Sequence, residues 1–519
     1  MKFIKKTYSK NKILIILLFI YFLVSLSLLI QFPFVHSDES WLSGLSRNIL
    51  QTKNLSSTET FFDLYPRNPH AIKIIFHIIQ IIFIKLLGYN IFSVRLISLI
   101  FSLLTLYYFY KLCVEIFNSS IKSTIATIFL AIDIQFIYAS HFARQEIAIL
   151  FVFIYSLYFF YKNTYNHTIK QDLILGCIIG ISIGVHPNSF IIALPFIAIY
   201  LYYMLFDKKL KLFNLMAYCL PLLVFCGIFV LLSFSFNPNF INDYFNYGKQ
   251  FNVHYSLSGK IGEFKYFYEK LYYGISGTYY TPNIKLQFFI FISSFIITIL
   301  KLFITKDKIK NQKIISVLLS IVFLNIGIIL IGRYNQTSII FQFPLFYILV
   351  AYLLENLSTH YKYIVAFGLA LLILMNTFTN IYPYINGDYN NYLNNISKTV
   401  EKDDIVLANL NSEFYFHNGK LHDYRNLAYL KENNMTFKDY ILKYDIKFII
   451  YPEEMDIINS ESPRWDAFYG NLYYYDEMKH FLKNNCTLVN ELRSKTYGVR
   501  IARYINEKDW TVKIYKVNY

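Results

Sequence analysis

The chain has 519 residues, of which 55% are hydrophobic and only 16% charged, and its mean hydropathy is +0.38. Soluble domains carry roughly a quarter charged residues, so this composition excludes an ordinary soluble protein. The formal net charge of +16 does not point to nucleic acid: the lysines fall in short connectors between apolar blocks, where they act as topology signals and headgroup anchors, and no RNA-binding or helix-turn-helix signature accompanies them.

The apolar residues come in blocks of about 20, the length that crosses a hydrocarbon core of ~30 Å as a helix. A Lys-rich start (Lys2, Lys5, Lys6, Lys10, Lys12) leads into the first block, Lys12–Phe34. It is longer than a signal-peptide core and lacks a small-residue cleavage site, so it reads as an uncleaved signal anchor with its N-terminus in the cytoplasm. Residues 35–70 then form a first external loop. The next apolar stretch, Ala71–Gly88, carries Lys73, His77, Gln80 and Lys85. A lysine at a helix centre costs about 2.5–3.5 kcal/mol on insertion, so this stretch is expected to lie at the interface.

Spanning helices follow at 91–113, 121–140, 146–163, 171–186, 188–206, 211–235, 286–305, 312–332, 336–355 and 361–382. The connectors bearing Lys208, Lys209 and Lys211, and Lys306, Lys308, Lys310 and Lys313, are expected on the cytoplasmic side. With the first block this makes about eleven spanning helices plus one interfacial helix. Residues 237–285 form a large external loop, expected to hold a short amphipathic helix on the membrane surface. After Tyr382 the composition shifts. Strands are expected at Ile405–Leu410, Lys447–Tyr451, Ser494–Arg503 and Trp510–Val517, with a helix at Phe437–Lys443. The expected organisation is an α-helical polytopic membrane domain over 1–382, followed by a small extracytoplasmic α/β domain over 383–519.

Chemistry can sit at few places. The five cysteines have no metal-site or disulfide spacing, and no Gly-rich phosphate loop is present. His36-Ser37-Asp38-Glu39 puts two carboxylates beside the membrane surface. One of them can act as a general base toward a hydroxyl, or Asp38 can simply cap the helix expected over Ser40–Leu50. In Ala143-Arg144-Gln145-Glu146 the planar arginine fork suits a phosphate, although charges at a membrane edge also anchor helices. Tyr65-Pro66-Arg67-Asn68-Pro69-His70 is either a rigid turn with an interfacial anchor or an anion site built on Arg67 with His70 nearby. His186-Pro187-Asn188 and Arg333-Tyr334 stand at two further outer turns, readable as a tight turn and a headgroup anchor or as ligands of a lipid phosphate.

The order of these motifs resembles the membrane glycosyltransferases of the C-type fold, in particular the group of protein O-mannosyltransferases and bacterial aminoarabinose transferases. In that group an Asp-Glu pair opens the first external loop, here Asp38-Glu39 with Trp41–Leu50 as the juxtamembrane helix. A Lys- or His-Pro-Pro motif, a Gly-x-Asn turn and an Arg-bearing helix follow, here Arg67-Asn68-Pro69, Gly88-Tyr89-Asn90 and Arg95. Ala-Arg-x-Asp corresponds to Ala143-Arg144-Gln145-Glu146, Lys-Pro to His186-Pro187, and Arg-Tyr before a Pro-containing helix to Arg333-Tyr334 and Pro344. The layout is similar over roughly 10–350. It departs from the pattern in having one proline at Asn68-Pro69 and Glu146 in place of an aspartate.

The resemblance implies transfer of a sugar from a polyprenyl-phosphate donor to a glycan, lipid or protein acceptor at the outer face of the cell membrane. Asp38 would take the acceptor proton, and Arg67, Arg144 or Arg333 would hold the phosphate. Glu39 or Glu146 would orient the acceptor or hold a divalent cation, with His70, His186 and Tyr334 lining the substrate; the protein-mannosylating members of the group need no metal, so the resemblance implies no metal and no cofactor. The competing readings are a transporter or flippase of lipid-linked saccharides, and an oligosaccharide polymerase or ligase of the same fold.

Overall fold

The computed structural model describes residues 2–164, 167–208, 210–250, 256–275, 277–304, 308–332, 334–355, 357–387 and 389–519. Helix α1 (Lys2–Leu28) is followed by α2 (Ser37–Thr52), α3 (Ile74–Leu87) and α4 (Ile91–Phe117). At 14 residues, α3 is about 21 Å long, short of a hydrocarbon core. Its polar residues explain where it lies. Ser46 of α2 donates to Gln80 Oε1 (2.6 Å) and shares a hydrogen with His77 Nδ1 (2.8 Å), so the polar stripe of α3 faces α2.

The expected helix over 121–140 is broken in two. Helices α5 (Ser120–Ala131) and α6 (Ile134–His141) meet at 65°, because Asp133 stops one and caps the other. Its carboxylate accepts from the Gln135 and Phe136 amides, from the Tyr347 hydroxyl at 2.7 Å and from Gln287 Nε2 at 3.0 Å. A buried acid with four donors is a stable kink.

Helices α7 (Glu146–Lys162), α8 (Ile169–Ser182), α9 (Ser189–Tyr202) and α10 (Leu212–Phe236) continue the bundle. Small residues set the approach of α8 to α10. A Cβ on Gly176 would sit 2.3 Å from the Tyr218 carbonyl, and one on Gly180 2.7 Å from Phe225. With no hydrophobic drive between helices in lipid, such glycine seams are what let backbones pack. The loop 237–285 holds two helices where one was expected, α11 (Phe240–Gln250) and α12 (Leu257–Tyr273). Then come α13 (Lys285–Ile304), α14 (Lys308–Ile331), a 3-10 turn (Gln336–Gln342), α15 (Phe343–Leu354) and α16 (Thr359–Ile381).

Among the described residues seven helices are long and apolar enough to cross a membrane, or eight if α5–α6 counts as one span. Leu223, Leu231, Phe289, Phe303 and Phe367 are 70–86% exposed on α10, α13 and α16, an apolar surface that only lipid or a partner can cover. The chain is a multi-pass membrane protein.

The C-terminal unit begins with α17 (Tyr389–Ser397). It contains β1 (Val406–Ala408), β2 (Leu421–Asp423), α18 (Phe437–Lys443), β3 (Phe448–Pro452), α19 (Glu454–Glu461), α20 (Tyr475–Asn485), β4 (Cys486–Ser494) and β5 (Trp510–Val517). The sheet order is β2-β1-β3-β5-β4. β1 runs parallel to β2 and β3, and β5 is antiparallel to β3 and β4. The strand expected at Ser494–Arg503 lies earlier, at Cys486–Ser494, and β2 was not expected.

This unit packs on the first loop. Arg47 of α2 pairs with Glu413 and donates to the Phe416 carbonyl at 2.8 Å. Asn426 Oδ1 accepts the Asp63, Leu64 and Tyr65 amides (3.0, 3.2 and 3.2 Å), and His422 pairs with Asp63.

Candidate active site

The first turn of α2 is the centre of the site, and its capping decides which acid is free. His36 is the N-cap. Its Nδ1 accepts the Asp38 amide at 3.0 Å, and Glu39 Oε2 accepts the His36 amide at 3.0 Å, a reciprocal capping box. Asp38 is therefore not the cap, and its carboxylate points elsewhere.

Glu39 is fully buried. Arg95 of α4 donates to it through Nε and Nη2, both at 2.8 Å, and the Ala143 amide donates at 3.0 Å. With the His36 amide, four donors occupy both of its oxygens, which ties α1's exit, α4 and the α6–α7 connection to one point. Glu39 was expected to orient the acceptor or hold a divalent cation; both of its oxygens are engaged by protein donors.

Asp38 keeps 23% of its side chain exposed. It accepts from the Tyr279 hydroxyl, and Arg144 Nη1 lies 3.4 Å from Oδ2. Burial pushes the Asp38 carboxyl up, but the His36 ring, which is protonated over the acid range where Asp38 titrates, together with Arg144 and the Tyr279 hydroxyl, outweighs burial and holds it well below the usual range. Burial pushes His36 down to about 4. Its ring, stacked on Tyr279 at 4.5 Å, is neutral at pH 7.

Arg144, in the connection from α6 to α7, also reaches Glu146 Oε1 at 3.3 Å. Its Nε and Nη1, and Glu146 Oε2, have no hydrogen-bond partner among the described residues. Thr337 donates to Glu146 Oε1 at 2.7 Å, and Asn188 donates to Ser338 at 3.2 Å. His186, whose Nδ1 accepts the Asn188 amide at 3.0 Å, thereby joins the same wall. Asp38, Arg144, Glu146 and the His186 turn converge.

Arg67 is placed differently. It makes a bidentate pair with Glu59 (3.0 and 3.0 Å) and lies 5.0 Å over Trp41, so its fork is engaged by a protein carboxylate. His70 lines a separate cavity of ≈ 240 Å³ with Arg67, Asn237, Asp243 and Tyr247, and burial pushes it down to about 3. The Tyr334 hydroxyl donates to the Lys260 carbonyl and its ring packs on Phe264 and Phe267, which seats it on α12. Arg333 lies outside the described residues. Among the described residues no three His, Cys, Asp or Glu converge as metal ligands.

Tyr279, Thr337, Glu59, Arg425 and Arg500 were not anticipated. A signal for the arginines existed. The chain has 10 arginines among its 49 basic residues, and six of them lie on α2 or touch it: Arg47, Arg67 and Arg425 over Trp41, Arg95 on Glu39, Arg144 on Asp38 and Arg500 on Ser37.

Residues 70–234 match the family model described as dolichyl-phosphate-mannose-protein mannosyltransferase. No curated protein matches the chain. Among solved structures, apo ArnT from Cupriavidus metallidurans superposes with a TM-score of 0.58 at 12% identity, covering 99% of this chain and 98% of that one. The same protein bound to undecaprenyl phosphate gives 0.54 at 10%, covering 96% of each. The archaeal oligosaccharyltransferase AglB from Archaeoglobus fulgidus, in complex with an inhibitory peptide and a dolichol-phosphate, gives 0.54 at 14%, covering 89% of this chain and 71% of that one. The chain thus has the C-type fold of membrane glycosyltransferases along its length, and its match to the mannosyltransferase family model is confined to residues 70–234.

Proposed function

We propose that this chain transfers a sugar from a polyprenyl-phosphate donor to an acceptor hydroxyl, at the extracytoplasmic face of the membrane, with Asp38 as general base. The observation that carries this reading is the Asp38 carboxylate: not used as the helix cap, partly exposed, and ion-paired at 3.4 Å with an arginine whose Nε and Nη1 have no hydrogen-bond partner among the described residues. The acceptor oxygen attacks the anomeric carbon and yields its proton to Asp38. The bond from that carbon to the phosphate oxygen breaks, and its electron pair leaves on polyprenyl phosphate. One displacement inverts the anomeric centre.

Asp38 is ionised at neutral pH but a weak base, so its proton transfer follows carbon–oxygen bond formation, when the attacking oxygen has become acidic. Arg144 neutralises the leaving phosphate as charge develops. Glu146, fixed by Thr337, orients the acceptor. Glu39 positions Asp38.

The topology that fits is eleven crossings: α1, α4, α5–α6 together, α7, α8, α9, α10, α13, α14, α15 with its preceding turn, and α16. With α3 at the interface, the Lys-rich connectors lie inside, and the first loop and residues 383–519 lie outside as a separate domain.

The test is sugar transfer in membranes carrying wild-type chain or Asp38→Asn, supplied with a panel of polyprenyl-phosphate sugars. The expected result is transfer by the wild type from one donor class, and a loss of at least about 100-fold in the variant at equal expression. Undiminished transfer by Asp38→Asn removes the mechanism. Lipid-sugar translocation without transfer by the wild type assigns the chain to flipping instead.

A further inference from the structure

Two half-buried arginines from the C-terminal unit reach α2, Arg500 at Ser37 and Arg425 at Trp41. Arg425 follows β2, at one edge of the sheet. Its Nε and its amide are both held by Asp423 Oδ1 (2.7 and 3.0 Å), and its guanidinium lies 4.4 Å over Trp41 and 4.9 Å over Phe62. Trp41 is three residues on from Asp38, hence on the same face of α2. Arg425 Nη2 has no partner among the described residues, with 12% of the side chain exposed.

Arg500 comes from the other edge, between β4 and β5. Glu454, fully buried, accepts the Arg500 and Ile501 amides at 2.8–2.9 Å and so fixes this stretch of backbone. Arg500 Nη1 donates to the Phe468 carbonyl at 2.6 Å, and Nη2 reaches Ser37 Oγ at 3.3 Å. Both guanidiniums are held in place by the C-terminal unit, and both lie close enough to His36 to act on its charge, as Arg144 does, the arrangement a preorganised anion site requires. Neither residue lies in 70–234, the stretch matched by the family model.

We propose that Arg425 and Arg500 join Arg144 to form the subsite that receives the phosphate of the lipid-linked donor, making the C-terminal unit part of the reaction centre. This rests on the transfer reading above for the identity of the donor. Arg144, on the α6–α7 connection, lies 3.4 Å from the carboxylate, and Arg425 and Arg500, from the two sheet edges, join it around His36, two residues before Asp38. A phosphate seated among them lies beside Asp38, where the anomeric carbon must be for attack.

The experiment uses the full chain in lipid nanodiscs and undecaprenyl phosphate as the probe, with binding measured directly and without turnover. Arg425→Gln and Arg500→Gln are each expected to weaken binding about 10-fold or more, with partial recovery in the Lys variants. The exposed Arg464→Gln of the same unit is expected to bind as wild type. Binding unchanged in both Gln variants overturns the proposal. So does weakening by Arg464→Gln of equal size, which marks a nonspecific charge effect. If Arg425→Gln fails to fold because Asp423 loses its partner, Arg500→Gln decides alone, since its side chain bonds only a carbonyl and a hydroxyl. Inorganic phosphate at the same concentration is the second arm. Tight binding of it, lost in the same variants, assigns the subsite to a soluble phosphate and overturns the lipid assignment. Failure of the transfer reading is read separately, from Asp38→Asn turnover.

Discussion

Replacing Glu39 with glutamine tests whether the active centre is held by one buried ion pair. Both partners are fully inaccessible. Arg95 also donates Nη1 to the Leu29 and Pro33 carbonyls, both at 2.9 Å, so it cannot swing away when its carboxylate is lost. The substituted side-chain amide would keep one acceptor oxygen and turn an NH2 toward either Nη2 of Arg95 and the His36 amide or Nε of Arg95 and the Ala143 amide. Two donors lose their acceptor, and a guanidinium stays in the interior without a counter-charge. Breaking a buried pair from one side costs roughly 3–5 kcal/mol.

The assay is equilibrium unfolding of the purified chain in mixed micelles, followed by tryptophan fluorescence. The reasoning fails if Glu39→Gln costs less than about 1 kcal/mol, the scale of an exposed pair. A second measurement separates charge from shape. Glu39→Leu with Arg95→Met removes both charges at similar volume and is expected to recover most of the loss. If the double variant is as unstable as the single, the hydrogen bonds to the backbone carry the energy instead.

His36 titrates with a defined sign. Its folded value of about 4 lies below the ordinary 6.5, so the unfolded chain takes up the proton first and stability falls as pH drops from about 6.5 to about 4, by at most ~1.4 kcal/mol per pH unit. His36→Asn keeps a capping side chain and is expected to flatten this slope in unfolding measured at pH 7 and pH 5; an unchanged slope assigns it to other groups. Asn426→Ala strips the acceptor from three loop amides and is expected to make residues 53–70 cleavable by limited proteolysis while helices of the bundle stay protected. Cleavage at the wild-type rate means the loop is held elsewhere. Gly176→Leu forces a side chain into the Tyr218 carbonyl and is expected to cut the yield of folded chain several-fold, read by size-exclusion of solubilised membranes; a normal yield refutes the close seam.

Much of the architecture was readable because lipid demands long apolar runs and places lysines outside them. The misses have physical causes. Asp133 sits in an apolar run with no proline or glycine beside it, and its kink depends on Tyr347 and Gln287, partners more than 150 residues away. β2 is three residues long, too short for an alternating pattern to show. In the candidate site, the sequence shows the Asp38-Glu39 pair, but the different surroundings of the two acids depend on the cap. A histidine at Ncap, rather than the aspartate, accepts the helix amide and leaves Asp38 free. Arg67 looked like an anion ligand because Glu59 carries no motif. Tyr279 sits in a loop already crowded with tyrosines. The scarcity of arginine in a lysine-rich chain was the one available pointer to Arg425 and Arg500.

The contacts that enclose the first turn of α2 are also extreme in chain separation: Arg47 and Glu413 are 366 residues apart, Asp63 and His422 359, and Ser37 and Arg500 463. At a synthesis rate of ~5–20 residues per second, the last of these partners emerges roughly 20–90 s after the first. Loop-closure entropy makes contacts of such span slow to form. The helix bundle can therefore be inserted and packed while the first turn of α2 is still uncovered. Enclosure of the first turn of α2 arrives as a discrete later event, when residues 413–500 close over residues 37–63.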